Sequence, residues 1–559
     1  MFSSSNKYET IIIGGGISGL FLAYKLSDTN KKILLLESSP KLGGRIETKI
    51  IDDVPYECGA ARFHSSHTKL LTLIQELGLE DKITKLSTDI DNHLRGVDMR
   101  VTKKHPYQTK FSDDLEELFK LSIEKKESFT KQELQNMSLF HYLVYVFDHE
   151  TAMYMKHSFG YDAEFDSLNA DIALQTFSND FFKDNNYYFL YGGLSQIIEA
   201  IIKYLQEKSN VTIQVSSEVL SVNESSVQIQ DSDDDYISYK YNSLICAIPK
   251  KSIKQLSYLK EMIPYDSVEE IPLLRIYAKY SSKWFQELNR TTTDNILRHI
   301  IPIDSENGLI MISYSDGKTA ELWKNIYTNG EDFLMKSIHN EIFRLFNIKP
   351  PAANFVSFDY WDHGVHMWKP GYDVNQLYSK IIQPDKNKEI FFCGEAYSKK
   401  QGWIEGCLET CFDIIKQMKF KNFHYEITSD VKDEITSDVK DDVKDDVKDE
   451  MIVDEDLPRL SFKELSKKNK EGSYLVIMKI KEINYVYDVL EWLDHHPGGK
   501  SAIEKAILHN KFFKSFLKKG NVPPIQLFKN QYGINHSDKI FTKYFLQPND
   551  YVHRVGIIK

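Results

Sequence analysis

Thr10-Ile-Ile-Ile-Gly-Gly-Gly-Ile-Ser-Gly-Leu-Phe-Leu-Ala-Tyr-Lys-Leu26 decides how the chain is read. Thr10–Ile13 is a short apolar run suited to a buried parallel strand. Glycines follow at all three positions of G-x-G-x-x-G, namely Gly14, Gly16 and Gly19, and Leu20–Leu26 continues as a helix. Gly14 permits a tight turn, Gly16 lets a pyrophosphate approach the backbone, and Gly19 lets helix and strand pack closely. The helix start then offers free N–H groups and a positive dipole end to phosphates. A second strand, Lys32–Leu36, ends at Glu37, 18 residues past Gly19, where a carboxylate should accept from ribose hydroxyls. These coincidences predict a βαβ dinucleotide site. They leave NAD and FAD both open.

Working outward, strand-rich sequence returns at Val211–Ile248 and again at Ile390–Cys393. Between the first strands and these, Asp113–His157 carries Leu, Phe, Tyr and charges at helical spacing. The expectation is an α/β fold: a Rossmann-type domain interwoven with an α+β substrate domain. The clearest boundary lies later. Glu426–Asp433 reads EITSDVKD, Glu434–Asp441 repeats it, and two copies of DVKD follow. From Glu426 to Asp456 there are 14 acidic residues and 4 lysines, a net of −10, against −11 for all 559 residues. The remainder is near neutral at −1 (−11 minus −10), so no basic excess recommends a nucleic-acid partner. With little apolar surface to bury, the acidic tract should be an unfolded tether spanning roughly 30 Å. The expected organisation is residues 1–424, a disordered linker at 425–457, and a small domain at 458–559.

Cys58, Cys246, Cys393, Cys407 and Cys411 are few, odd in number and without a C-x-x-C pair. That argues against a disulfide scaffold or a zinc site and favours a reducing compartment. The glycine-containing apolar run Thr10–Leu26 is short for a membrane span, and Met1–Glu9 has no signal-peptide pattern. A soluble, intracellular, cytoplasmic protein is expected.

Further segments carry a resemblance. Pro40-Lys-Leu-Gly-Gly-Arg-Ile46, Tyr56-Glu-Cys-Gly-Ala-Ala-Arg-Phe63, Tyr191-Gly-Gly-Leu-Ser-Gln-Ile-Ile198 and Tyr241–Pro249 (YNSLICAIP) come in order. They end with Phe391-Phe-Cys-Gly-Glu-Ala-Tyr397 and Gly402-Trp-Ile-Glu-Gly-Cys-Leu408. Together these resemble the flavin-containing amine oxidase superfamily over about residues 8–422. The resemblance selects FAD. It implies cofactor contacts at Gly14, Gly16, Ser18, Gly19, Glu37, Gly44, Arg45, Gly59, Arg62, Val219, Gly394, Glu395, Trp403 and Ile404. Among these, Arg45 would meet the pyrophosphate and Glu395 the ribityl hydroxyls. The helix begun at Trp403 would aim its positive end at the pyrimidine side of the ring.

The implied chemistry is hydride transfer from an amine carbon, or an equivalent C–H bond, to flavin N5, with O2 or an electron-transfer protein as acceptor. Trp403 takes the place of one aromatic flanking the substrate, and Trp368 is the expected second. Arg275 falls where relatives carry lysine, in Ile271-Pro-Leu-Leu-Arg-Ile-Tyr-Ala-Lys-Tyr280. Arginine can hold a water or an anionic group but cannot act as a base. Lys279 shares its strand face but lies about 13 Å further along at 3.3 Å per residue. The substitution admits a carboxylate-bearing substrate, or porphyrinogen or polyene oxidation. A catalytically silent binding protein is the reading from another class. Some members of that superfamily attach flavin through a cysteine near the segment matching Tyr360–Gly371, but Tyr360–Gly371 has none, so a dissociable FAD is expected.

At the carboxyl end, Leu460–Ser466, the strand Ser473–Ile480 and Asn484-Tyr-Val-Tyr-Asp-Val-Leu-Glu-Trp-Leu-Asp-His-His-Pro-Gly-Gly499 resemble the cytochrome b5 family. The resemblance implies haem b with His496 as one axial ligand. For the second, Asn521 sits at the gap-free position, while His536 lies in an N-H-S context 40 residues after His496. Either His536 ligates, or the second ligand is lost. A tethered haem would take single electrons from reduced flavin.

Overall fold

The strand Lys7–Ile13 lies inside a parallel sheet whose order is Val211–Gln214, Ile33–Leu36, Lys7–Ile13, Tyr236–Cys246 and Ile390–Phe392. This computed structural model describes residues 6–87, 90–102, 105–180, 187–230 and 236–418, and the backbone of 459–460, 475–480, 483–488 and 553–558. All four residues of Ile33–Leu36 are buried, as an interior strand of a sheet covered on both faces requires. Ile13 stands opposite both Leu36 and Cys246, and Cys246 opposite Phe392. Four strands therefore end level, and Gly14, Glu37, Ala247 and Cys393 follow them along one edge. Ligands of open parallel sheets sit outside such carboxyl ends. The first half of Tyr236–Cys246 forms an antiparallel ladder with Ser226–Gln230, which pairs in turn with Val219–Val222.

A second sheet runs Phe355–Trp368, Val268–Lys279, Leu309–Asp316, His299–Asp304, Arg290–Thr293, Ile90–Leu94 and Val97–Asp98. Alternation along Val268–Lys279 sends Leu274, Ile276 and Ala278 into a core with Trp323, Leu334 and Ile338 of the covering helices Gly317–Tyr327 and Glu331–Phe346. Arg275 and Tyr277 face the other way, toward the Thr48–Ile51/Val54–Glu57 hairpin. The ladder to Phe355–Trp368 is broken. Ile271 pairs with Val365 but Leu273 with Trp361, so Asp362–Gly364 bulges out of register.

The expected helical layer is present, and each start has its chemical reason. Asp114, Thr130, Ser138 and Asp148 cap Leu115–Lys125, Lys131–Gln135, Leu139–Val146 and His149–Phe159 by accepting first-turn N–H bonds. Leu118, Tyr142 and Phe165 of this layer share one continuous apolar core with Ile11 and Leu34 of the parallel sheet. The two lobes are thus packed together as the unit Met1–Phe420.

The second unit, Lys421–Lys559, is described by four strands ordered Arg459–Leu460, His553–Ile558, Ile483–Asp488 and Leu475–Ile480. The last falls within the strand expected at Ser473–Ile480. His496, His536 and the acidic tract lie outside the described residues.

Candidate functional site

The residues that end the parallel strands open into a cavity of about 860 Å³ that continues to the second sheet. Gly14, Gly16, Ser18, Glu37, Gly44, Arg45, Gly59, Arg62, Gly394, Glu395, Trp403 and Ile404 line it, and so does Arg275. Sequence reasoning named all of these. Gly14 has φ +106°, and a Cβ there would stand 2.4 Å from the Ala247 carbonyl oxygen. Gly19 is not in the wall: its Cβ would lie 1.9 Å from the Gly14 carbonyl oxygen, so it serves helix-on-strand packing.

Gly16 behaves differently. A Cβ there meets nothing nearer than the Gly44 Cα at 4.0 Å, and at Gly394 nothing nearer than the Ser18 Oγ at 3.8 Å. No protein atom excludes a side chain at either position, and at Gly394 the φ of +118° is a separate reason for glycine. The space a Cβ would fill is cavity, which is what close approach of a phosphate or flavin to the backbone needs. The helices Ile17–Leu26 and Ile404–Gln417 both begin at this cavity, after the extended residues Gly16 and Trp403. Glu37 Oε2 accepts from the Gly15 N–H at 2.6 Å and Oε1 from the Ser39 N–H at 2.8 Å, which holds the carboxylate at the rim.

Arg45 and Glu395 form the charged centre. Arg45 Nη1 donates to Glu395 Oε2 at 2.7 Å and to the Gly364 carbonyl at 2.8 Å. Glu395 also accepts from the His366 N–H, the His366 Nδ1–H and the Gly402 N–H. Burial alone would raise this carboxyl's pKa; the Arg45 charge and His366 outweigh it and hold it well below the usual carboxylate range. Burial likewise opposes charge on His366, but Glu395 and Glu270 raise its pKa and favour the imidazolium. In this arrangement Glu395 is a protein–protein hub, its oxygens taken by donors of this chain.

Several expectations change. Trp368 is fully buried in the core, its Nε1–H donating to the Ser398 carbonyl, and it does not reach the cavity. The bulge is the reason: Asp362–Gly364 leaves the ladder and Tyr360–Val365 around it lines the cavity, whereas Trp368 is in register opposite Val268. Trp361, with its Nε1–H on the Cys58 carbonyl, stands in the wall instead. Val219 begins its strand two residues past Ser217, whose N–H donates to the Glu37 carbonyl, and is not among the lining residues. Lys279 pairs with Asp52, away from the cavity. Trp403 lines the wall, with Tyr187 stacked at 6.2 Å and His67 edge-on at 4.9 Å between ring centroids.

The substrate-lobe end is built from residues that sequence reasoning passed over. Tyr161, Glu164, Tyr314 and Asp316 line the cavity beside Arg62 and Arg275. Arg275 Nη1 donates to the Glu57 carbonyl at 2.9 Å, and its Cζ lies 4.6 Å from the Tyr314 ring centroid. Burial pushes the Glu57 carboxyl up to about 7, against bonds from the Leu194 N–H and the Thr48 hydroxyl. No motif marks these residues. The one available signal was strand alternation, which puts Arg275 and Tyr277 on one face. The five cysteines are free and buried, and no helix among the described residues is long and apolar enough to cross a membrane.

The comparisons agree with this architecture. Residues 17–411 match the family model described as flavin containing amine oxidoreductase, and residues 461–508 the cytochrome b5-like heme/steroid binding domain. An uncharacterized protein of Acanthamoeba polyphaga mimivirus is 21% identical over 500 residues, 76% of this chain and 96% of its own. Human flavin-containing amine oxidase B is 31% identical over 108 residues, 19% of this chain and 20% of that one. Polyamine oxidase 5 of Oryza sativa subsp. japonica is 44% identical over 73 residues, 13% of this chain and 15% of that one. These two matches are short segments of longer chains. A double mutant of putrescine oxidase redesigned in cofactor binding superposes with TM-score 0.58 and 15% identity, covering 74% of this chain and all of that one. The cradle that fits FAD and the family match over most of the first unit lead to one conclusion: the chain belongs to the flavin-containing amine oxidoreductases and is an FAD-dependent oxidoreductase.

Proposed function

We propose that this flavoenzyme removes a hydride from a carbon bearing an amine, or from a closely related C–H bond, in the chamber between Arg275 and Trp403. One observation carries the reading: the glycine-lined cradle and the substrate-lobe wall of Arg62, Tyr161, Arg275 and Tyr314 belong to a single cavity. Bound in the cradle, FAD supplies a two-electron acceptor. The remaining work falls to the chain's own groups. Gly16, Gly44 and the start of Ile17–Leu26 would receive the pyrophosphate, and Glu37 the ribose. Glu395 positions Arg45 and His366 and keeps their charges fixed beside the cofactor. Trp361, Trp403, Tyr161 and Tyr314 exclude water and orient an apolar substrate body. Arg275 holds an anion or a water and takes no proton.

The carboxyl-terminal unit supports a further electron step. Its b5-like match and four-stranded sheet make it the proposed site of a haem held by His496 and His536, which would accept single electrons. The visible spectrum of the purified chain tests both halves. Flavin bands with a Soret band are expected, and His496→Ala should remove only the Soret band.

Anaerobic mixing with primary amines, polyamines, amino acids and a porphyrinogen tests the reaction itself. Bleaching of the flavin by an amine-containing compound is expected. Reduction by dithionite but by no member of the panel would sink the proposed chemistry.

A further inference from the structure

We infer that the chamber between Arg62 and Arg275 binds a carboxylate carried by the substrate. This deepens the proposed function by naming a substrate class, and it rests on a charge imbalance in the wall. Among the described residues, Arg298 is paired with Asp162 and Arg45 with Glu395, whereas Arg62, Arg275 and Arg290 have no carboxylate at ion-pair distance. Arg62 Nη2 donates to the Tyr161 hydroxyl at 3.2 Å, and its Cζ lies 5.2 Å from the Tyr187 ring centroid. Arg275 is only 7% exposed and has a backbone carbonyl and the Tyr314 ring for partners. Tyr161 and Tyr314 meet edge to face at 5.2 Å and join the two arginines into one wall.

Behind them, Arg290 has a buried Nε with no hydrogen-bond partner. Burial, then repulsion from Arg62, brings its pKa down to about 10, and Arg62 in turn feels Arg275. The nearby acids do not balance them. Burial and the neighbouring Asp316 push the Glu164 carboxyl up to about 8, which keeps it protonated at neutral pH. Asp316 itself already accepts the Asp162 and Ala163 N–H groups. Like charges held close around a half-buried wall without a counter-ion are costly, and a planar carboxylate matches guanidinium donors two at a time. A ligand carboxylate is the missing counter-charge. Its aliphatic or aromatic body would then extend along Tyr314 and Trp361 toward the flavin cradle.

The test uses the FAD-loaded full chain titrated with benzoate and with its neutral isostere benzamide, followed by flavin absorbance and by calorimetry. Benzoate should bind saturably and at least about tenfold more tightly than benzamide. Arg62→Met and Arg275→Met should each weaken benzoate about tenfold to a hundredfold and leave benzamide unchanged. Arg275→Lys, which keeps the charge and loses the fork, should fall between. The benzoate/benzamide ratio of the unmutated protein needs no variant to fold. Equal affinity for the two probes would overturn the inference, as would benzoate binding indifferent to both Met variants. Tighter binding of benzylamine than of benzoate would give the chamber to a cation through Glu164 and also overturn it. Calorimetry reads binding whether or not any amine reduces the flavin, so failure here leaves the proposed reaction standing.

Discussion

Arg45 and Arg275 line the same cavity from opposite sheets, yet the fold treats their charges in opposite ways. Arg45 faces Glu395, which is itself fixed by His366 and Gly402, so the parallel-sheet side is electrostatically closed before any ligand arrives. Arg275 meets a carbonyl and the side chains of Tyr277 and Tyr314 but, among the described residues, no carboxylate at ion-pair distance, so the second-sheet side is left open. A closed network rigidifies a cofactor cradle. An open one keeps its attraction for the molecule that comes and goes. Removing one partner of a buried pair is costly because it leaves an uncompensated charge, whereas deleting a cation that has no carboxylate partner leaves none behind.

That contrast can be broken most forcefully at Glu395. Replacement by Gln takes the carboxylate partner from half-buried Arg45 and leaves buried His366 with Glu270 as its remaining acid, and should cost about 3–5 kcal/mol in denaturant unfolding of the first unit. The sign with pH follows from the depressed carboxyl. Its stabilisation is full above the unfolded value of about 4.3 and is lost as pH falls toward the folded value. Wild type should therefore lose stability below about pH 4 more steeply than Glu395→Gln. A parallel decline of the two proteins with acid would refute the closed network.

Next in size is the glycine turn. Gly19→Ala drives a Cβ against the Gly14 carbonyl and should destabilise by about 3 kcal/mol, measured by the same unfolding curves. Gly16→Ala meets open space and should change stability by less than about 1 kcal/mol while lowering flavin retention on gel filtration. Equal effects of the two on stability would remove the distinction between packing glycine and ligand glycine.

On the open side, Glu164 gives an effect of opposite pH sense. Its carboxyl titrates near 8 in the fold and near 4.3 unfolded, so its ionisation penalises the folded state progressively as pH rises between those values. Glu164→Gln should be more stable than wild type at pH 8, by an upper bound of about 4–5 kcal/mol, and indistinguishable from it at pH 4. Differential scanning calorimetry at the two pH values decides. Smallest of all, Arg275→Met should shift stability by no more than about 1 kcal/mol, because it deletes a cation that has no carboxylate partner. A loss of about 3 kcal/mol would mean that Arg275 is as tightly integrated as Arg45.

The two sides also differ in how far they could be read in advance. Gly14, Gly16 and Glu37 belong to one βαβ stretch, where turn sterics, helix dipole and strand order are short-range and legible from spacing, while Gly44 and Arg45 were legible only through the resemblance of Pro40–Ile46. Trp361 and Trp368 show where legibility stops. They lie seven residues apart on one strand, and the out-of-register bulge at Asp362–Gly364 decides that the first lines the cavity while the second fills the core. A bulge is a compromise between two ladders, and one strand's sequence does not contain the other's demand. Tyr161, Glu164, Tyr314 and Asp316 carried no motif at all. They come together because Tyr161 and Glu164, in and beside the helical layer, pack against the end of Leu309–Asp316, with Asp316 accepting the Asp162 and Ala163 N–H groups.

The chain's own order of residues determined a dinucleotide cradle, its amine-oxidase-type closure at Gly394–Ile404, an acidic tract and a b5-like carboxyl end. Each of these depends on chemistry within a few neighbours, or on motifs that keep their spacing. Only the tertiary structure decided which aromatic faces the cavity, that Glu395 is bound by the protein's own donors, and that Arg62, Arg275 and Arg290 stand together without a carboxylate. Charge balance in a buried chamber is a sum over groups contributed by distant strands, and that sum exists only once the sheets have packed.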